Sequence, residues 1–253
     1  MTDPAARPQE PYEALARIYD YVMRHVTYDE WVAFVDELLR RFDCRPRRLV
    51  DLACGTGNAT LEFDALGYSV EGADGSAAMV RAATAKALNM GRDIPYHCSD
   101  LRDLGGLGPY DAAVCLYDSF NYLLEKADLD RALAAVHGLL PAGGLFVFDV
   151  CTRQNSLRYF RDVRDEERGP DFFYRRHSEY DTETHLQYNR FDIEVGDERF
   201  AETHVQRIYT LDELQERVAA SAFELLGSFD GFTFDDGSER SDRVHYVLRR
   251  PAD

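Results

Sequence analysis

The feature that most constrains this 253-residue chain is a repeated alternation, between Leu49 and Val150, of short apolar runs with stretches of helical periodicity. Leu49 to Ala53, Ser69 to Ala73, Pro95 to Cys98, Ala112 to Leu116 and Leu145 to Val150 have the length and character of strands. Thr60 to Leu66, Ala77 to Leu88 and Asp128 to Leu140 carry apolar residues at helical spacing. Strands joined through helices pair in parallel, so the expected fold class is α/β, a Rossmann-like doubly wound, mostly parallel seven-stranded sheet. Pro141-Ala142-Gly143-Gly144 stops one helix and launches the next strand.

The flanks have a different texture. Met1 to Gln9 is a polar leader with two prolines, and order is expected to start near Pro11. Two amphipathic helices are predicted next. Tyr12 to Arg24 presents Leu15, Ile18, Tyr19 and Val22, and Tyr28 to Phe42 presents Trp31, Phe34, Val35, Leu38 and Leu39. From Arg153 to Tyr209 charged and aromatic residues interleave, with strands predicted at Phe172 to Tyr180, His185 to Ile193 and Ala201 to Tyr209, a small antiparallel β insertion. Thr210 and Glu213 form a capping box that opens a helix over Leu211 to Ala222, and strands Phe223 to Phe234 and Val244 to Arg250 close the chain. The expected organisation is an N-terminal helical lid over 1–44, a core over 45–151 and 210–253, and an inserted roof over 152–209.

Twenty-nine basic against 46 acidic residues leave a formal charge of -17, a field that repels phosphate backbones and makes nucleic acid a poor partner. Arg40, Arg41, Arg45, Arg47 and Arg48 form a local basic cluster that runs against this balance. Five cysteines in an odd, widely spaced set without C-x-x-C fit reduced thiols, and no metal site is expected. The first thirty residues lack a basic stretch followed by an apolar one, and no run approaches eighteen apolar residues. A cytoplasmic protein without a membrane segment, monomeric or homodimeric, is the expectation.

Chemistry concentrates in Asp51-Leu52-Ala53-Cys54-Gly55-Thr56-Gly57-Asn58, where two glycines follow a strand with an acidic residue near its end. A dinucleotide fingerprint requires glycine or alanine where Thr60 stands, and a carboxylate at Asp51 sits poorly beside a pyrophosphate. A nucleoside ligand without phosphate fits better. The stretch resembles motif I of class I S-adenosylmethionine-dependent methyltransferases. Asp74 stands at the end of the second strand, where that family grips both ribose hydroxyls, with Gly75 beside it and Met79 as the apolar residue that follows. Ser99-Asp100-Leu101 matches the position where an Asp accepts from the adenine amino group. Tyr110-Asp111-Ala112-Ala113-Val114 opens the fourth strand as the family's often does. The resemblance implies S-adenosylmethionine as cofactor and S-adenosylhomocysteine as product. Cofactor contacts are expected from Tyr19, Trp31, Asp51, Ala53, Cys54, Gly55, Gly57, Asn58, Asp74, Gly75, Met79, Ser99, Asp100, Leu101, Leu116 and Tyr117. Read without the family, the glycines make a tight turn and the acids are helix N-caps, which explains each residue but not their common register.

Ligands of open α/β sheets lie beyond the carboxyl ends of the strands, so three segments are placed to meet a methyl acceptor. The N-terminal helices resemble the lid of small-molecule methyltransferases, including aminosugar N-methyltransferases, in which a lid tyrosine lies near the methyl group. Tyr19 takes that place here, with Tyr12, Tyr28 and Trp31 as neighbours. Leu116-Tyr117-Asp118-Ser119-Phe120-Asn121-Tyr122-Leu123 resembles a D-S-x-N-Y-L stretch of bacterial members, with Tyr122 where the aminosugar enzymes tend to place a histidine. Asp149 and the inserted strands, with Tyr174, Arg176, His185, Tyr188, Arg190, His204 and Arg207, form the third, although outward polar residues also mark any half-exposed sheet. Tyr19, Tyr117 and Tyr122 are the catalytic candidates. The expected activity is in-line methyl transfer to a nitrogen or oxygen of a small molecule, with most of the rate coming from alignment. A tRNA- or protein-modifying methyltransferase and a non-catalytic S-adenosylmethionine-binding protein stand as alternatives.

Overall fold

The computed structural model describes residues 6–252 and builds two sheets. The chain enters through β1 (Arg7–Gln9), a 3-10 turn (Leu15–Arg17), the single turn α1 (Tyr19–Val22) and the long helix α2 (Tyr28–Arg41). An alternating run follows: β2 (Arg48–Leu52), α3 (Asn58–Ala65), β3 (Ser69–Asp74), α4 (Ala77–Asn89), β4 (Tyr96–Cys98) and β5 (Ala112–Cys115). A 3-10 turn (Ser119–Tyr122), α5 (Lys126–Leu139), β6 (Leu145–Cys151) and α6 (Arg153–Tyr159) lead to four long strands. These are β7 (Asp162–Arg168), β8 (Phe172–Asp181), β9 (Leu186–Val195) and β10 (Glu198–Arg207). The helix α7 (Leu211–Ala220), then β11 (Glu224–Asp230) and β12 (Arg243–Arg249), end the chain.

The larger sheet has the order β11-β12-β6-β5-β2-β3-β4, with β12 antiparallel to both neighbours and β6, β5, β2, β3 and β4 mutually parallel. This is the α/β, Rossmann-like, doubly wound and mostly parallel seven-stranded sheet that the alternation predicts. Its central strands are apolar on both faces because helices cover both. Val50, Ala113, Phe146 and Phe148 pack under α5 and α7, while Leu49, Ala112, Val114 and Val147 pack with Val35, Leu38 and Leu39 of α2 and Phe63 of α3. The capping box of α7 is present in full, with the Thr210 and Glu213 side chains each meeting the other's backbone amide.

The second sheet, β1-β10-β9-β8-β7, is antiparallel except for β1, which runs parallel to β10. Three strands of it were legible in the sequence, and β7 and the preceding helix α6 were not, because Arg161 to Arg168 alternate without a hydrophobic face. The inward face of this sheet changes character along its length. At one end Phe172, Tyr174, Ile193 and Phe200 pack on Ala14, Leu15 and Ile18. At the other, Ser178, Gln187, Asn189, Glu202, His204 and Gln206 are all buried.

The N-terminal segment departs from expectation twice. Arg7–Gln9 pairs with Phe200 to Glu202 of β10 although Met1 to Gln9 reads as an unstructured leader; Met1 to Ala5 lie outside the described residues. The helix expected over Tyr12 to Arg24 is broken into a 3-10 turn and one α turn. Its amides have a competing acceptor: the Glu202 carboxylate takes the N–H groups of Tyr12 (2.9 Å), Ala14 (2.5 Å) and Leu15 (2.9 Å), and Tyr12 itself sits at φ +68°. A carboxylate bonded to three amides outcompetes the intrahelical carbonyls that a marginal helix offers.

Candidate active site

One cavity of about 1030 Å³ opens over the carboxyl ends of β2, β3, β5 and β6 and is roofed by the N-terminal segment and the polar end of the second sheet. Its floor begins with the turn after β2. Ala53, Gly55 and Gly57 all have positive φ (+54°, +56° and +79°), which bends the chain so that backbone rather than side chain faces the opening. At Gly55 an added Cβ would meet only the Tyr19 ring, at 3.8 Å, so the space above it is free for a ligand. Gly57 instead serves the fold: it caps α3 in the left-handed region, and a Cβ there would strike the Tyr96 hydroxyl at 2.5 Å.

Two carboxylates bracket this turn. Asp74, at the end of β3, accepts from the Gly55 and Ser76 amides, both at 2.8 Å, and burial raises its pKa against those two bonds. Asp51 is 2% exposed and accepts from the Thr60 hydroxyl at 2.6 Å; burial pushes its pKa up to about 7. Asp100 is less enclosed, and Arg102 holds it through both carboxylate oxygens (2.8 and 2.5 Å). Met79, Leu101 and Leu116 supply apolar lining.

The far wall is the loop after β5. Tyr117 and Asp118 occupy consecutive left-handed conformations (φ +62° and +52°), a strained pair for residues with side chains. What holds it is Asp149 of β6, wholly buried, which accepts from the Tyr117 amide at 2.6 Å and the Asp118 amide at 2.9 Å. Arg243 of β12 then bridges Asp149 and Asp118, reaching Asp118 at 2.6 Å, and lies over the Trp31 and Tyr117 rings at 4.9 and 5.1 Å. Gln206 of β10 adds a 2.6 Å bond to the same Asp118 carboxylate.

The near wall is tied down through Asp20. Its carboxylate accepts from Lys86 Nζ (2.7 Å), Thr56 (2.6 Å) and Asn58 (3.2 Å), which sets Tyr19 beside the glycine turn. Burial keeps the Tyr19 and Tyr117 phenols protonated by raising their pKa values well above the ordinary range.

Of the residues expected to contact the cofactor, Tyr19, Trp31, Asp51, Ala53, Cys54, Gly55, Asn58, Asp74, Gly75, Met79, Asp100, Leu101, Leu116 and Tyr117 line this one cavity. Gly57 and Ser99 do not: Gly57 is the helix cap described above, and Ser99 is used through its amide, bonded to the Asp74 carbonyl at 3.0 Å. The three candidate catalytic residues, Tyr19, Tyr117 and Tyr122, also line it, with Tyr12 and Tyr28. Among the roof residues, Arg176 and His204 reach the cavity, whereas Tyr174, His185, Tyr188, Arg190 and Arg207 are not in its lining. Sequence reasoning missed Gln187, Asn189, Gln206 and Arg243. The first three share the period-two alternation of β9 and β10, but alternation alone does not say which face is enclosed. Where the resemblance sets a histidine, this chain has Tyr122, and His204 arrives from β10 to within 3.3 Å of the Tyr122 hydroxyl.

The donor set fits S-adenosylmethionine. Ribose hydroxyls and the ammonium need acceptors, which Asp74 and Asp51 provide; the ligand needs room to approach the backbone, which the turn at Gly55 leaves; the sulfonium needs aromatic faces, which Tyr19, Trp31 and Tyr117 provide.

Comparison with known proteins agrees. Residues 49–144 match the methyltransferase domain family. A Geobacillus sp. (strain WCH70) protein described as a methyltransferase is 29% identical over 245 residues, covering 94% of this chain and 99% of the relative. The dTDP-3-amino-3,6-dideoxy-alpha-D-glucopyranose N,N-dimethyltransferase of Streptomyces fradiae is 34% identical over 148 residues, covering 56% of each chain. The crystal structure of an S-adenosylmethionine-dependent methyltransferase from Clostridium acetobutylicum ATCC 824 superposes with a TM-score of 0.81 at 25% identity, covering 95% of this chain and 99% of that one. From the strand order, the carboxylates at successive strand ends and these likenesses, the chain is a class I S-adenosylmethionine-dependent methyltransferase that resembles the aminosugar N-methyltransferases.

Proposed function

We propose that this enzyme methylates a nitrogen or oxygen of a small polar molecule, held between the glycine turn and the polar end of the second sheet. The observation that carries this reading is the shared cavity. Its volume of about 1030 Å³ is at the upper end of the roughly 300 to 1,000 Å³ common for one ligand, which leaves room for an acceptor beside the cofactor. When bound, S-adenosylmethionine supplies an electrophilic methyl group on a sulfonium centre.

The chain's own residues then act by placement. Asp74 and Asp51 fix the adenosyl and amino-acid ends, and Tyr19, Trp31 and Tyr117 surround the sulfonium position with aromatic surface. The buried phenols remain hydroxyls, so they orient an acceptor by hydrogen bonds rather than by charge. Gln187, Asn189 and Gln206 give the acceptor end a polar lining, with Gln187 bonded to Ser156 and Gln206, and Gln206 in turn to Asp118. Enclosure by the N-terminal segment excludes water, and alignment at roughly 3 to 3.5 Å lowers the barrier.

The domain roles follow the same division. Residues 1–44 serve as the lid, 45–151 and 210–253 as the cofactor-binding core, and 152–209 as the roof over the acceptor. A nucleic-acid acceptor is not favoured. Arg47 and Arg48 stand at the amino end of β2, about 17 Å of strand away from the cavity end, and the cluster is engaged internally: Arg40 with Asp36 at 2.8 Å, Arg48 with Glu71 at 2.9 Å and Arg41 over Phe234. The test is methyl-labelled S-adenosylmethionine incubated with the pure protein and, separately, amino sugars, amino acids, small catechols, bulk tRNA and unfolded protein. Label in the low-mass amine or hydroxyl fraction supports the reading. Label confined to tRNA or protein, or none anywhere, overturns it.

A further inference from the structure

Four side chains behind the acceptor end of the cavity form a continuous hydrogen-bonded line that begins at the lining and ends in the protein interior. The Tyr12 hydroxyl lies 2.5 Å from the Tyr122 hydroxyl, Tyr122 lies 3.3 Å from His204 Nδ1, and His204 Nε2 lies 3.0 Å from Glu202 Oε2. Tyr12, Tyr122 and His204 line the cavity; Glu202, 1% exposed, stands behind them.

Donor directions along the line are fixed from its buried end. Glu202 already accepts the three lid amides, and despite burial those bonds and His204 hold its carboxyl below the usual range, so it is an acceptor only. His204 must then carry its proton on Nε2, which leaves the Nδ1 lone pair pointing at Tyr122. Tyr122 donates to Nδ1, Tyr12 donates to Tyr122, and the Tyr12 oxygen keeps its lone pairs for a donor in the cavity. Each link has one proton and one acceptor, all in the same sense.

We propose that Glu202, by setting the tautomer of His204, makes Tyr12, Tyr122 and His204 a relay that removes the proton from the methyl acceptor. The inference rests on the small-molecule reading above and names its proton acceptor. An acceptor ammonium gives one proton to the Tyr12 oxygen, Tyr12 passes its own to Tyr122, and Tyr122 passes its own to His204 Nδ1. Both phenols end as they began, and the imidazolium lies against the Glu202 carboxylate. The freed nitrogen lone pair forms the new carbon–nitrogen bond as the sulfur–carbon bond breaks, with that electron pair remaining on sulfur. His204 releases its proton when the product leaves. The relay also removes a positive charge from beside a sulfonium, where two like charges would repel, and places it beside a carboxylate. Tyr12, Tyr122 and His204 are the catalytic residues of this scheme, and Glu202 is a positioning residue.

The test is nitrogen-15 magnetic resonance of the full-length protein labelled in histidine and saturated with S-adenosylhomocysteine, together with transfer from S-adenosylmethionine to glucosamine as the probe amine. Wild type should show His204 protonated at Nε2. Glu202→Gln, which retains a carbonyl oxygen for the lid amides, should move the proton to Nδ1 or mix the two forms while S-adenosylhomocysteine affinity changes less than about twofold. Tyr122→Phe should leave the tautomer alone. Both variants should lower kcat for the probe at least tenfold with little change in KM for S-adenosylmethionine, since a wrong tautomer or a cut chain removes proton acceptance without removing binding. A wild-type His204 protonated at Nδ1, or a tautomer unmoved by Glu202→Gln, overturns the relay even if methyl transfer is intact. If wild type leaves glucosamine unmodified, the tautomer readings alone decide.

Discussion

The guanidinium of Arg243, on the last strand, donates to the carboxylate of Asp118 at 2.6 Å across a sequence separation of 125 residues. That contact, with the second one to Asp149, fastens the strained Tyr117-Asp118 turn to β6 and β12 of the sheet and so fixes the wall opposite the glycine turn. Burial alone would disfavour the guanidinium, but the two carboxylates outweigh it and hold it charged.

Arg243→Met should therefore destabilise the protein by about 3 to 5 kcal/mol, because it leaves buried carboxylates without a counter-charge. Urea unfolding followed by circular dichroism measures this. Arg243→Lys should recover only part of the loss, since one ammonium cannot span both acids in the forked geometry of arginine. Wild-type stability in the Met variant would show that the two carboxylates do not depend on Arg243.

Cofactor affinity should depend on pH through Asp51. Its folded-state pKa of about 7 lies above the unfolded value near 3.9, so the acid form is retained as pH rises to neutrality, and the stability it contributes is lost between about pH 4 and 7. A cationic ligand favours the carboxylate. Affinity for S-adenosylmethionine should rise by up to about tenfold per unit toward pH 7 and then level, with proton release visible by calorimetry in buffers of different ionisation enthalpy. Asp51→Asn should flatten that dependence. A flat wild-type profile without proton release would remove Asp51 from the binding step.

His245 makes the opposite contribution to stability. Packed among Trp31, Phe34 and Phe232, it is held neutral, its pKa pushed down to about 3 by burial and then by the Arg243 charge. The unfolded chain takes up its proton near pH 6.5 and the folded one does not, so stability falls as pH drops from about 6.5 toward 3, by up to about 1.4 kcal/mol per unit. His245→Phe should lessen the acid sensitivity of the urea midpoint across that window. An identical pH slope in the variant would contradict the assignment.

Lys86→Met should loosen the lid. Lys86 joins Asp20 to Thr56 and Asn58, and without it the Asp20 carboxylate faces the glycine turn with two neutral partners. Hydrogen exchange at residues 18–24 should speed up, and cofactor binding should weaken by about 1 kcal/mol as Tyr19 loses its fixed position. Unchanged exchange would show that the lid is held mainly by Glu202.

The sheet was legible because strand–helix alternation and burial on both faces leave a strong local signal: Leu49 to Ala53 and Leu145 to Val150 read as strands and are strands. Asp51, Asp74 and Asp100 stand out for the same reason, each falling at or just after a strand end. The second sheet was only partly legible. Its inward polar residues, Gln187, Asn189, Glu202 and Gln206, look like an exposed face until the cavity is known to lie beneath them. The broken first helix was not legible at all, since the carboxylate that breaks it, Glu202, is 188 residues from Ala14. Arg243 is hidden likewise, because its partners come from β6 and the loop after β5.

The central claim is that backbone and carboxylates at successive strand ends hold an adenosyl sulfonium. A crystal structure of the full chain with S-adenosylhomocysteine tests it most directly. The account predicts the ribose hydroxyls against Asp74, the adenine beside Asp100 and Leu101, and the sulfur facing the space bounded by Tyr19, Tyr117 and Tyr122. A nucleoside bound away from Asp74 and the Gly55 turn, or no binding at millimolar ligand, would contradict it.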